Sequence, residues 1–171
     1  MENLLYIVVP ALLCILTGAL VYWGVKQNEK MLLRREFKNK AIEALMPNKI
    51  HAYERAILFL ERIHPNQLLL RCNPTQKSAR SFRTELIEDI RREYEHNLVQ
   101  QLYISEKSWR ELAESKDRSI QLIQEAFRSV SEQSSALDLV KQIMERLEQM
   151  EKPLTGVALS LLKQDVARWT S

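Results

Sequence analysis

The sequence predicts an all-α protein: one N-terminal transmembrane helix followed by a cytoplasmic helical bundle. Three observations carry that expectation. Residues Leu4 to Val25 form a run of 22 with no charged side chain. Glycine occurs three times in 171 residues, and no NG, DG or GG pair is present, which removes the usual hairpin turns. Between Pro47, Pro65, Pro74 and Pro153, apolar residues recur at three- and four-residue spacing, the period of an amphipathic helix. The scarcity of glycine also excludes a Rossmann fingerprint or a P-loop, both of which need several glycines to let backbone approach phosphate.

The apolar run comes first. As a helix it reaches about 33 Å, against a hydrocarbon core of about 30 Å. Tyr6 lies near one end, and Tyr22 and Trp23 lie near the other, where aromatic rings favour the membrane interface. The flank before the run carries Glu2, whereas the flank after it carries Lys26, Lys30, Arg34, Arg35, Lys38 and Lys40. The positive-inside rule puts Lys26 onward in the cytoplasm and the N-terminus outside. A cleaved signal peptide would need a basic n-region and a shorter apolar run, and neither is present. The expectation is an uncleaved anchor in a bacterial inner membrane, with Tyr6, Tyr22, Trp23, Lys26, Lys30, Arg34 and Arg35 at the interface. Three regions follow: an anchor over 1–25, a basic juxtamembrane helix over 26–47, and a helical domain over 48–171.

The juxtamembrane helix continues the anchor to Met46 and carries Leu33, Phe37, Ile42 and Leu45. Asn48 to His64 reads as a second helix, with Ile50, Tyr53, Ile57, Leu60 and Ile63 on one side. Asn66 to Asn73 contains Leu68-Leu69-Leu70 and fits either a short buried helix or a connecting segment. A long helix is expected from Ser78 to Tyr103, with Phe82, Leu86, Ile87, Ile90, Tyr94, Leu98 and Leu102 facing inward. Ser108-Trp109-Arg110-Glu111 has the capping-box spacing and is expected to start the next helix, which carries Leu112, Ile120, Ile123, Phe127 and Val130. Ser135 to Asp138 offers another cap before Val140, Ile143, Leu147 and Met150. Pro153 suits a first helical position ahead of Leu154, Val157, Leu161 and Leu162. Counted this way, the domain is an antiparallel bundle of about five helices.

Charge divides along the chain. Lys26 to Arg83 holds 13 basic and 5 acidic residues, a net of +8, and Thr84 to Ser171 holds 12 and 16, a net of −4. A basic membrane-proximal half suits the lipid bilayer as partner, at about 1 kcal/mol for each Lys or Arg near anionic headgroups. Topology therefore explains the asymmetry, and no nucleic-acid partner is expected. Cys14 falls in the apolar run and Cys72 stands alone beyond it, so no disulfide framework is available. Nothing near Cys72 marks a reactive thiolate.

Ala52-Tyr53-Glu54-Arg55-Ala56-Ile57-Leu58-Phe59-Leu60-Glu61-Arg62-Ile63 resembles the opening block of a family of bacterial single-pass membrane proteins of unknown function. The later Arg92-Glu93-Tyr94-Glu95-His96-Asn97 resembles the same family, as do Gln100-Gln101-Leu102-Tyr103 and Trp109. The resemblance implies one N-terminal membrane segment and a helical body. It implies no activity and transfers no functional residue.

Chemistry is sparse. Glu61 with His64, and Glu93 with His96, complete two Glu-x-x-His motifs, the kind that di-iron carboxylate bundles use in pairs. Against that use, His64 precedes Pro65 at a helix end. At roughly 100° per residue His96 also falls about 120° from Ile90. Both histidines are read as surface or interface residues, and no metal, cofactor or catalytic residue is expected. There is no CxxC, HExxH or nucleophile elbow. Glu88 with Arg92, and Glu114 with Arg118, are spaced for weak ion pairs on a solvated face. Asn97 and Gln101 continue the stripe of Ile90 and Tyr94 at 4-3-4 spacing, which places two amides on a helix seam. They fit either an internal hydrogen-bonded pair, the preferred reading, or a homodimer seam. The function expected is that of a membrane-tethered, non-enzymatic interaction or scaffold protein. The alternatives are a stalk-like structural protein and a di-metal carboxylate oxidase.

Overall fold

Side chains of Ser, His and Asn set most of the helix boundaries. The computed structural model describes the backbone of residues 2–169 and the side chains of residues 16–169. It contains α1 (Glu2–Ile63), α2 (Pro65–Cys72), α3 (Ala79–Asn97), a 3₁₀ helix (Leu98–Leu102), α4 (Glu106–Phe127), α5 (Ala136–Glu148) and α6 (Gly156–Ala167). The all-α expectation holds. By internal contacts the chain divides into two units, Met1–Pro47 and Asn48–Ser171.

α1 differs from the expected pair of helices, because it includes Pro47. A proline inside a helix removes one N–H donor, here the one that would bond the Glu43 carbonyl. The remaining hydrogen bonds and the long helical runs on either side outweigh that loss. In the first unit the described apolar side chains are exposed, among them Trp23, Leu33 and Phe37, except for the half-buried Met46. Among the described residues no helix is long and apolar enough to cross a membrane. The expected span begins at Leu4, and its side chains up to residue 15, Tyr6 included, lie outside the described residues.

In the second unit, Asn66 to Asn73 resolves as helix. Pro65 occupies the first turn of α2, and His64 caps it, its Nδ1 accepting from the Asn66 amide at 3.4 Å. Proline suits that position because its missing N–H would have no helical partner there. Leu68 and Leu69 are buried and Leu70 points outward. Asn73 ends the helix at φ 40°, and its Oδ1 accepts from the Thr75 amide and hydroxyl.

Ser78 caps α3 and Ser135 caps α5, the latter with a full capping box through Asp138. The two caps also pair with each other as an isolated antiparallel bridge. The Ala79 amide donates to the Ser134 carbonyl at 2.7 Å, and the Ala136 amide donates to the Lys77 carbonyl at 3.0 Å. α3 and α5 therefore start from the same end of the unit. α4 packs against α3, α5 and α6.

The core is formed by Phe59, Leu60 and Ile63 of α1, Leu68 of α2, Phe82, Leu86 and Ile90 of α3, Leu112 and Ile123 of α4, Leu139 and Ile143 of α5, and Leu154 with Leu162. Each such side chain contributes about 1.5–3 kcal/mol on burial. Phe59, Tyr94 and Trp109 form an aromatic row, with centroids 5.9 Å and 5.6 Å apart.

Three expected boundaries move. α3 stops at Asn97, and the chain tightens into the 3₁₀ helix, which rotates Leu98 and Leu102 outward to 38% and 76% exposure. The cap of α4 is Ser105, whose hydroxyl accepts from the Ser108 amide at 3.2 Å, so Ser108 lies inside the helix rather than at its start. α6 begins at Gly156 behind Thr155, and Pro153 belongs to the loop before it. Ile50, expected inward, is 43% exposed.

Candidate functional site

The most concentrated polar geometry lies where α6 meets the start of α4 and the later part of α1. Ala158, Leu162, Asp165 and Trp169 follow at 4-3-4 spacing, so the stripe that buries α6 carries a carboxylate at its third position. Asp165 Oδ2 accepts hydrogen bonds from the Ser105 hydroxyl at 2.5 Å, the Ser108 hydroxyl at 2.5 Å and the Tyr53 hydroxyl at 3.1 Å. The Tyr53 oxygen in turn accepts from the Ser105 amide at 3.3 Å. Trp169 stands edge-on to the Tyr53 ring at 4.7 Å, and Lys49 Nζ lies 4.4 Å from the Trp169 ring centre.

The electrostatics are those of a satisfied anion. Burial alone would raise the Asp165 pKa. The three hydroxyl donors, helped by Arg168, outweigh it and hold the carboxyl below its ordinary range. Burial raises the Tyr53 pKa, and the neighbouring Asp165 charge adds to that, while the Ser105 amide opposes. A depressed carboxylate is a poor proton acceptor, and a phenol with a raised pKa is a poor donor at neutral pH. The base beside each serine is that same carboxylate, whose lowered pKa makes it too weak to activate a hydroxyl. The arrangement fastens three helices together and is not set up for acid–base or nucleophilic chemistry.

A second buried group is Asn97, 5% exposed. Its amide donates to the Glu93 carbonyl at 2.7 Å and its Oδ1 accepts from Arg55 Nε at 3.3 Å. Gln101, expected beside it on the seam, is exposed. The turn from α-helical to 3₁₀ winding at Leu98 breaks the shared face, so the two amides do not pair. Asn97 joins α3 to α1 within one chain.

The Glu-x-x-His motifs are not drawn into one centre. Glu93 pairs with Arg62 at 2.7 Å, His64 is occupied as the α2 cap, and Glu61 and His96 are exposed. Among the described residues no group of three or more His, Cys, Asp or Glu side chains is arranged to hold a metal ion. Cys72 is buried, and burial pushes its thiol pKa up, with Asp89 and Glu85 adding to the effect. Of the interface residues, Tyr22, Trp23, Lys26, Lys30, Arg34 and Arg35 lie exposed on α1, and Lys26 Nζ reaches the Tyr22 hydroxyl at 3.3 Å.

Sequence reasoning passed over Asp165 and Ser105, and read Ser108 as a helix cap rather than as a donor inside α4. A signal existed, since Asp165 is the one charged position in the Ala158–Leu162–Asp165–Trp169 stripe. It also missed why α4 fits between its neighbours. Ser108, Ser115 and Ser119 are buried. Ser115 and Ser119 turn their hydroxyls onto the carbonyls four residues back, each at 2.9 Å, which satisfies them without a partner from another helix.

These features define an all-α protein whose folded unit is fastened by buried polar joints. The chain belongs to a family of unknown function (DUF7935), which it matches over residues 1–169. No curated protein matches the sequence, and no solved structure matches the fold.

Proposed function

We propose that this chain is a membrane-tethered, non-enzymatic interaction or scaffold protein of a bacterial inner membrane. Its N-terminus lies outside and its helical unit is cytoplasmic. The observation that carries the reading is the apolar, uncharged stretch ending at Val25, followed at once by Lys26, Lys30, Arg34 and Arg35 on the same helix. Leu16, Leu20, Val21, Tyr22, Trp23 and Val25 are each at least 53% exposed. Such a contiguous apolar surface calls for lipid or a partner, and the basic flank favours lipid with the following segment on the cytoplasmic side. The unit from Asn48 onward presents its outer faces to a protein partner. Its buried polar groups act as joints, which supports a binding role over catalysis.

The test is one of topology. A reporter active only in the cytoplasm, fused after Ser171, should be active and should sediment with membranes. Neutral replacements of Lys26, Lys30, Arg34 and Arg35 should weaken the orientation. A reporter found outside, or wholly in the soluble fraction, ends this reading.

A stalk-like role is the second reading. It needs a long helix, and α1 is 62 residues long.

A further inference from the structure

A cleft between α3 and the end of α4 gathers three arginines against a single carboxylate. Arg83, Thr84, Ile87, Glu88 and Arg91 line one wall, and Gln124, Phe127 and Arg128 line the other, around a volume of about 470 Å³. The positions on α3 follow from the helical period, since 83, 87 and 91 are each four apart and share one face. Most arginines elsewhere in the unit are ion-paired: Arg62 with Glu93, Arg71 and Arg92 with Asp89, Arg80 with Glu132, Arg110 with Glu106, Arg118 with Glu111 and Glu114, and Arg168 with Asp165. Arg55 and Arg146 bond to neutral acceptors, and Arg146 Nε, like that of Arg83, is buried without a partner. Arg83, Arg91 and Arg128 make no ion pair among the described residues.

Arg83 is the most confined of the three. It is partly buried, and its guanidinium carbon lies 4.3 Å from the Phe127 ring centre. That contact orients the planar group and weakens its hydration. Its Nε is fully buried and has no hydrogen-bond partner, whereas a buried donor ordinarily finds an acceptor. Arg91 and Arg128 are exposed at the rim.

The chemistry of the ligand follows from the charge balance and the floor. Three guanidinium groups against the single carboxylate of Glu88 leave a net of two positive charges. A phosphomonoester carries about −1.5 to −2 near neutral pH. Its oxygens match the forked geometry of arginine, which binds phosphate through paired hydrogen bonds. Phe127 and Ile87 give an apolar floor for whatever the phosphate is attached to. We propose that this cleft binds a dianionic phosphomonoester, with Arg83 held against Phe127 as the fixed donor and Arg91 and Arg128 closing on the phosphate from the rim. Such a group is offered both by soluble phosphorylated metabolites and by a lipid headgroup.

The experiment uses the full chain in neutral detergent, with phenyl phosphate and inorganic phosphate as soluble probes and micelles doped with phosphatidic acid as the lipid probe. Phenyl phosphate should bind saturably, and more tightly than inorganic phosphate because of the floor. Arg91→Ala and Arg128→Ala should each weaken it about ten-fold. Both residues are exposed, so the fold should survive. Glu88→Gln should tighten binding about three-fold by removing the opposing charge. Arg110→Ala, which breaks a pair outside the cleft, should leave binding unchanged. A response to doped micelles that exceeds the response to phenyl phosphate assigns the lipid source, and the reverse assigns a soluble ligand. Absence of saturable binding to all three probes overturns the proposal. So does binding that Arg91→Ala and Arg128→Ala leave intact.

Discussion

Tyr53 donates its hydroxyl to Asp165 across 112 positions of sequence, at 3.1 Å. The contact joins α1 to α6 and so links the early and late parts of the second unit. Ser105 and Ser108 reach the same carboxylate oxygen, which makes Asp165 the shared acceptor for donors from two other parts of the unit.

Asp165→Ala should therefore be among the costlier single changes. It leaves three buried or half-buried hydroxyls without their acceptor, and bonds to a charged partner contribute about 1.5–3 kcal/mol each. Because the three share one acceptor, the loss is not a sum, and about 3 kcal/mol is expected in urea unfolding. Ser108→Ala removes one donor and should cost about 1 kcal/mol. Equal effects from the two variants would mean that Asp165 is not the hub.

The same carboxylate sets a pH dependence. Its pKa is depressed in the folded state, against an unfolded value of about 3.9. The stability it contributes is fully present above that unfolded value and is lost as pH falls through the lower folded one. Asp165→Asn should flatten the acid limb of the stability profile. Tyr53 behaves in the opposite sense. Its raised pKa favours the folded state below about pH 10, and its contribution stays intact there. That contribution is lost as pH rises from the unfolded value through the higher folded one, because the fold prefers the neutral phenol and ionisation then works against it, and Tyr53→Phe should flatten this alkaline loss. An acid limb unchanged in Asp165→Asn would contradict the assignment.

Ile90 is fully buried and His96 is exposed on the same helix. Ile90→Asp places an unpaired charge in the core and should cost several kcal/mol, enough to exhaust a stability of about 5–15 kcal/mol. His96→Asp should stay within about 0.5 kcal/mol. Thermal unfolding of the two variants, followed by circular dichroism, separates these outcomes, and similar melting curves would put the register of α3 in error.

Gly156 opens α6 against the ring of Pro153. A Cβ at that position would stand 2.6 Å from the Pro153 Cγ and 3.0 Å from its Cβ. The pyrrolidine ring cannot swing away as a flexible side chain does. Gly156→Ala should cost about 1–3 kcal/mol by overpacking, although alanine is the better helix former. Combining it with Pro153→Ala should restore most of the loss, and a gain in stability from Gly156→Ala alone would show that the loop relaxes freely.

The helical class was legible because apolar period and glycine scarcity are local properties. So were the helix cap at Ser135 and the buried run from Phe82 to Ile90. Helix ends were less legible. The change to 3₁₀ winding after Asn97 turns Leu98 and Leu102 outward, although the sequence pattern continues unbroken through them. Pro47 was read as a stop because the local rule is strong, yet the helical residues on both sides carry the helix through. The Asp165 joint depends on partners more than fifty positions away, and a single Asp in an apolar stripe does not say which hydroxyls will meet it. The unpaired arginines are legible only as basic residues until the structure shows which others have found carboxylates.

The bridge between Ser78 and Ser135 has a consequence for solvent exchange. Amides in the first turn of a helix ordinarily lack a helical partner and trade their protons with water quickly. Those of Ala79 and Ala136 are instead bonded to the segment preceding the other helix, and both residues are wholly buried. Releasing either amide requires separating the starts of α3 and α5. In a deuterium time course the two positions should therefore label slowly and together, so that one cooperative opening is recorded at two sites far apart in the chain.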